Sequence, residues 1–128
     1  MIFLNLNQYI LLLINEEANE IAKETDKALR FGLNEHHPDD PQQKSNEIRI
    51  ENEFIDLIAT LYIANICGIN ISNIIIDMAL TSSYRQQIID KIFNILKALK
   101  LSIYEGQLNM TLVEANRLEN EIKNHLAI

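Results

Sequence analysis

Between Ser45 and Gly68 runs a stretch with no internal glycine or proline, and from Phe54 onward (Phe54-Ile-Asp-Leu-Ile-Ala-Thr-Leu-Tyr-Ile-Ala) it is apolar nearly all round. A helix of that kind has no face to give to water, so it must be central in a bundle or buried at a subunit interface. Ser45 supplies an N-cap, Glu47 and Glu51 suit the first turns, and Gly68 stops the helix after Cys67. Three glycines and two prolines in 128 residues are too few for a fold built on many tight turns. The expectation is an all-α bundle of four to five helices in one domain spanning residues 1–128, long enough to bury its own core.

Other helices follow from caps and periodicity. A first helix starts near Asn5 or Asn7 and ends at Gly32, with Ile10, Ile14, Ala18, Ile21, Ala22, Ala28 and Leu29 as its apolar arc. Glu17, Glu20, Glu24 and Lys27 run along one edge of that arc, bracketed by Leu13 and Phe31. The stretch from Leu33 to Lys44 holds both prolines and reads as a loop, long enough to be a lid or partly disordered. Ile69 to Leu80 is read as a short helix capped by Ser72. Thr81-Ser82-Ser83 then caps a helix through Tyr104, with Ile88, Ile89, Ile92, Ile95, Leu96 and Leu99 facing the core and Glu105-Gly106 at its end. Thr111 and Glu114 form a capping box for a last helix to about Leu126, with Leu112, Leu118, Ile122 and Leu126 along one side.

Charge and cysteine usage exclude several classes. A net charge of −7 leaves no basic patch for the backbone of a nucleic acid polymer, although an acidic chain binds a nucleotide when a divalent metal inverts the local field. Cys67 is the only cysteine, so neither an internal disulfide nor a cysteine-based zinc site is expected, and it is most simply a small core residue. The apolar opening from Met1 to Ile14 has no Lys or Arg before it and runs into Glu16-Glu17. That is unlike a signal peptide, and no apolar stretch reaches bilayer length. The reading is a soluble cytoplasmic protein with no membrane association.

Two acid pairs need a reason. Glu17-Ala-Asn-Glu20 and Glu53-Phe-Ile-Asp56 each place two carboxylates a turn apart on one helix face, and Asp56 sits inside the apolar run. Carboxylates there are costly unless a cation meets them. The cation is either a hard metal ion held between two antiparallel helices or a set of structural partners, Arg49, Lys91 or Lys27. Glu-x-x-His, the mark of di-iron bundles, does not occur, and neither a phosphate-binding glycine loop nor a Ser/His/Asp grouping is present. His36 and His37 lie in the polar loop and suit solvation better than a metal.

The segments Ile14-Asn-Glu-Glu-Ala-Asn-Glu-Ile-Ala, Lys27-Ala-Leu-Arg-Phe-Gly32 and Glu53-Phe-Ile-Asp-Leu together resemble the all-α nucleoside triphosphate pyrophosphohydrolases, the MazG-like superfamily that includes the dimeric dUTPases. The order E-E-x-x-E, loop, E-x-x-D is its hallmark, and the Lys27–Gly32 string and the later helix around Lys91-Ile-Phe-Asn look like a phage- or bacterium-borne branch. The resemblance covers about residues 10–106; the gap from Glu20 to Glu53 is longer than in compact members, and the helix at about 111–126 lies outside the pattern. It implies that Glu17, Glu20, Glu53 and Asp56 hold Mg²⁺ or Mn²⁺, which suit oxygen ligands and leave positions for phosphate oxygens. It also implies hydrolysis of a (deoxy)nucleoside triphosphate to monophosphate and pyrophosphate, in nucleotide-pool clean-up.

Glu16 is a candidate for water activation, although its wheel position also fits a solvated acid. Lys27 could meet the triphosphate or simply pair with Glu24 or Glu20. Lys91 and Asn94 could reach substrate from the third long helix, whereas Arg30 falls opposite the acids, at the surface or against a partner subunit. Phe31, Phe54 and Tyr84 could wall a base, core packing being the simpler role for each. The excess apolar surface of the second helix points to a homodimer or homotetramer. The competing expectation is a non-catalytic helical interaction protein whose acids form structural ion pairs.

Overall fold

The computed structural model describes residues 3–71 and 73–128, and among them five α-helices: α1 (Leu6–Phe31), α2 (Asn46–Ile66), α3 (Asn73–Leu80), α4 (Arg85–Tyr104) and α5 (Leu112–Leu126). They form an all-α bundle. The start of α1 is fixed at Asn5 by a reciprocal cap: its side chain accepts from the Gln8 amide at 2.9 Å, and the Gln8 side chain accepts from the Asn5 amide at 3.0 Å. Gly32, at φ +99°, closes α1 by donating its N–H to the Ala28 carbonyl at 2.8 Å.

α2 begins at Ser45 as expected, with Ser45 Oγ accepting from the Ile48 amide. The buried Asn46 ties the two helices at their joint, donating its side-chain N–H to the Gly32 carbonyl at 2.9 Å and its backbone N–H to Glu35 at 2.8 Å. Because Glu17 of α1 also meets Glu53 and Asp56 of α2, the pair runs antiparallel. The connection is not a free lid. Asp40 accepts from the Gln42 and Lys44 amides, both at 2.9 Å, and from Arg49 at 2.8 Å, which pins the loop to α2.

The apolar arc expected on α1 is rotated. Ala18, Ala22 and Leu29 are exposed, while Tyr9, Ile10 and Glu24 are buried. The inward seam therefore follows the stripe Ile10, Leu13, Glu17, Glu24, so acids expected at its edge occupy its centre. α4 presents Ile88, Ile89, Ile92, Ile95, Leu96 and Leu99 to the core as expected. It lies along α2, with Tyr84 and Glu51 lining one cavity and Lys91 beside Asp56. Its cap differs from expectation: Thr81-Ser82-Ser83 is spent in a turn, with Ser82 Oγ accepting from the Tyr84 amide at 3.1 Å, and no side chain caps the helix.

Ser72, the expected cap of α3, lies outside the described residues; the approach to α3 is held by Asn65, whose side chain accepts from the Ile71 amide and donates to the Ile71 carbonyl. On α5 the Thr111 hydroxyl accepts from the Glu114 amide at 3.1 Å, and the buried stripe is Ala115, Leu118, Ile122 and Leu126. Leu112 is exposed, because six residues before Leu118 places it about 120° round the helix. Tyr62 bonds His125 at 2.8 Å, and Leu4 bridges Leu108, which joins the chain's two ends to the core. Among the described residues no helix is long and apolar enough to cross a membrane.

Candidate metal centre between α1 and α2

The site follows from helix geometry. Glu53 and Asp56 lie one turn apart on the face of α2 that meets α1, and Glu17 lies on the facing stripe. One oxygen from each of Glu17, Glu53 and Asp56 falls within 4.8 Å of the others. Lys91 Nζ of α4 reaches Asp56 Oδ2 at 3.3 Å, so three carboxylates face one ammonium. One Glu17 oxygen, Oε2, is buried with no hydrogen-bond partner, a state that is expensive for a carboxylate.

Electrostatics records that expense. Burial, then the Asp56 charge, pushes the Glu17 carboxyl up from 4.5 to about 7, against a lowering by Lys91. Glu53 is also raised, by burial and then by the charges of Asp56, Glu20 and Glu24. Asp56 is raised by burial despite the opposing Lys91. A seam that holds its carboxylates above their ordinary range has too little positive charge for them. The donor set, hard oxygens from two helices, fits a hard divalent cation and offers nothing to soft metals.

Of the four acids expected to gather, three do. Glu20 is turned to the rim, where it pairs with Lys23 at 3.1 Å. Seven residues on from Glu17 brings the helix back to within about 20° of the same line. That position is Glu24, which the acid motif passed over. Glu24 is only 6% exposed, pairs with Lys27 at 3.2 Å, and leaves its second oxygen buried and unpartnered. The signal was in the sequence: an acid in step with Glu17 rather than with the motif.

The other residues fall in distinct places. Glu16 is exposed, one residue and so about 100° round α1 from Glu17. Lys91 and Asn94, with Asp56 and Asp90, line a cavity of about 340 Å³ on the α4 side of the acids. Lys27 lies on the opposite side, in a cavity of about 510 Å³ at the α1–α2 joint. Arg30 pairs with Asp26 at 2.8 Å on the surface, as its wheel position implied, yet it also borders this second cavity. Phe31, Phe54 and Tyr84 are all at least 40% exposed, so core packing is not their role.

The chain matches no protein-family model, no curated protein and no solved structure. What can be said of its class therefore stands on its own geometry: an all-α helical bundle whose two longest helices bring together acids able to coordinate a metal ion.

Proposed function

We propose that this chain is a Mg²⁺-dependent nucleoside triphosphate pyrophosphohydrolase of the MazG-like kind. It would cleave a (deoxy)nucleoside triphosphate between the α- and β-phosphates and act on the cytoplasmic nucleotide pool. The observation that carries the reading is the convergence of Glu17 with the Glu53/Asp56 pair around an oxygen that is buried and unpartnered. The resemblance of the E-x-x-E and E-x-x-D segments to that superfamily adds the substrate class.

In this reading Glu17, Glu53 and Asp56 hold the ion, with Glu20 and Glu24 extending the acid seam. Bound there, Mg²⁺ or Mn²⁺ supplies charge neutralisation at the phosphates and acidifies water. Lys91 keeps Asp56 oriented by its 3.3 Å pair, and Lys27, held at 3.2 Å by the buried Glu24, is the α1 ammonium offered to a phosphate. No step is assigned to Glu16. The exposed Leu11, Leu12, Ile74, Ile75 and Met78 support assembly as a homodimer or homotetramer.

One set of observations favours a second reading, a non-catalytic interaction protein: Asp56, Glu24 and Glu20 each have a lysine partner. Assaying monophosphate and pyrophosphate release from a panel of NTPs and dNTPs, with Mg²⁺, Mn²⁺ or EDTA, separates the two. Metal-dependent release that is abolished in Glu53→Gln and Asp56→Asn is expected. Turnover that survives both substitutions, or no release from any substrate, would remove the proposal.

A further inference from the structure

α1 carries a second seam that the fold of one chain leaves uncovered. Leu11, Asn15, Ala18, Ala22, Thr25 and Leu29 recur at alternating steps of four and three, the spacing of a coiled-coil contact. On an ideal helix all six fall within about 40° of one line, roughly 130° round from the line of Glu17 and Glu24. All six are exposed, Leu29 at 85% and Leu11 at 53%. The stripe holds no charge, in a chain of which 23% of the residues are charged. The Thr25 hydroxyl is engaged by the Ile21 and Ala22 carbonyls, both at 3.0 Å, so its hydrogen bonding is spent within α1. An uncharged stripe of this length on the solvent side of a 26-residue helix marks a helix that packs on both faces.

The pattern also says what fits it. It reads alike in both directions from Glu20: Leu11 and Leu29 lie nine residues to either side, Asn15 and Thr25 five, Ala18 and Ala22 two. A two-fold contact between identical surfaces needs that self-complementarity. We infer that the outer face of α1 is a homodimer interface in which two copies of α1 run antiparallel about a two-fold axis level with Glu20. Leu11 of one copy then packs on Leu29 of the other, and the alanines let the two backbones approach closely at the centre. The flanks of the stripe select this direction. One is polar, with Glu16, Asn19, Lys23, Asp26 and Arg30 beside Leu12; the other is apolar, with the half-buried Ile14, Ile21 and Ala28. An antiparallel pair sets each flank against its own kind, whereas a parallel pair sets polar against apolar. The polar flank is neutral, two acids against two bases, and Glu16 comes within one residue of the height of Lys23 in the second copy. With its flanks, a stripe of this length covers on the order of 600–800 Å² per copy, which is what a specific interface buries on each side. The exposed Ile74, Ile75 and Met78 of α3 span a single turn and have no such symmetry. The inference rests on the assembly part of the reading above and is independent of hydrolysis.

Sedimentation of the full chain and disulfide trapping test this together. Wild type should sediment as a dimer. Ala22→Glu places a charge at the centre twice and should raise the dimer dissociation constant about a hundredfold or more, with helix content unchanged, while Met78→Glu should leave it within about threefold. Trapping reads the direction. In a Cys67→Ala background, Leu11→Cys mixed with Leu29→Cys under a mild oxidant should yield a cross-linked dimer. Neither variant alone should do so, because like positions then lie about 27 Å apart along the seam. Cross-linking of Leu11→Cys with itself would overturn the antiparallel pairing. A monomeric wild type, or a dimer broken by Met78→Glu and not by Ala22→Glu, would overturn the interface. A dimer that cleaves no triphosphate keeps the interface and removes the hydrolase reading, and a monomer that cleaves one does the reverse.

Discussion

α1 and α2 pack against each other in two ways along one seam. Toward the start of α1 the contact is apolar: Ile10 and Ile63 are at most 1% exposed, as are Ile92 and Leu96 of α4 in the same core. A few turns further the same stripe of α1 carries Glu17 and Glu24, facing Glu53 and Asp56. The apolar half gains stability from every group it removes from water. The acidic half does the reverse, since it buries carboxylate oxygens without partners and raises the carboxyl groups above their ordinary range. Identical backbone geometry thus supports a structural end and an end held away from its own optimum, a pattern typical of functional sites.

Substitutions should separate the two ends. The largest effect belongs to the core: Ile92→Ala, at a fully buried position, should cost about 3–4 kcal/mol in urea unfolding, with the same loss whether or not Mg²⁺ is present. Tyr62→Phe should cost about 1 kcal/mol through its lost bond to His125, again without touching metal response. At the acidic end the sign should invert. Glu17→Gln removes a buried, poorly compensated charge and should leave the metal-free protein as stable as wild type or more so, by up to about 1 kcal/mol at neutral pH. A clear destabilisation there, matching that of Ile92→Ala, would break the contrast.

pH offers a finer view of the same difference. In the folded chain Glu17 keeps its proton up to about pH 7, against 4.5 ordinarily, so between those values the folded state holds more protons than the unfolded one. Stability of the metal-free protein should therefore fall as pH rises from 4.5 to about 7, and the raised Glu53 and Asp56 act in the same direction. Asp40 and Glu119, whose carboxyls are lowered, act below that window and in the opposite sense. Urea midpoints measured in EDTA across this range should show the downward slope, reduced in Glu17→Gln. A rising slope would contradict the assignment of the strained group.

Much of this was legible from residues whose chemistry acts locally. Asn5, Ser45, Thr111 and Gly32 mark helix ends because each satisfies a backbone group next to it, and the α4 stripe follows from helical period alone. Failures occurred where local signals competed. Thr81-Ser82-Ser83 offers hydroxyls enough for a cap, but the chain uses them in a turn. The rotation of α1 was hidden because alanines and a leucine outweigh acids in a hydrophobic pattern, although the partner helix also presents acids. Glu24 belonged to no motif, and Glu20 belonged to one yet sits at the rim. Whether an acid faces inward depends on what it meets across the interface, and a single helix does not contain that information.

The central claim is that Glu17, Glu53 and Asp56 hold a divalent cation, and thermal melting of wild type and Glu17→Gln in EDTA, Mg²⁺ and Mn²⁺ addresses it most directly. Saturating metal should raise the wild-type melting temperature by several degrees, about 2.7 kcal/mol at a hundredfold excess over Kd, and should leave Glu17→Gln nearly unmoved. Equal shifts in both proteins, or none in wild type, would contradict the claim and leave the acids as structural partners of lysines.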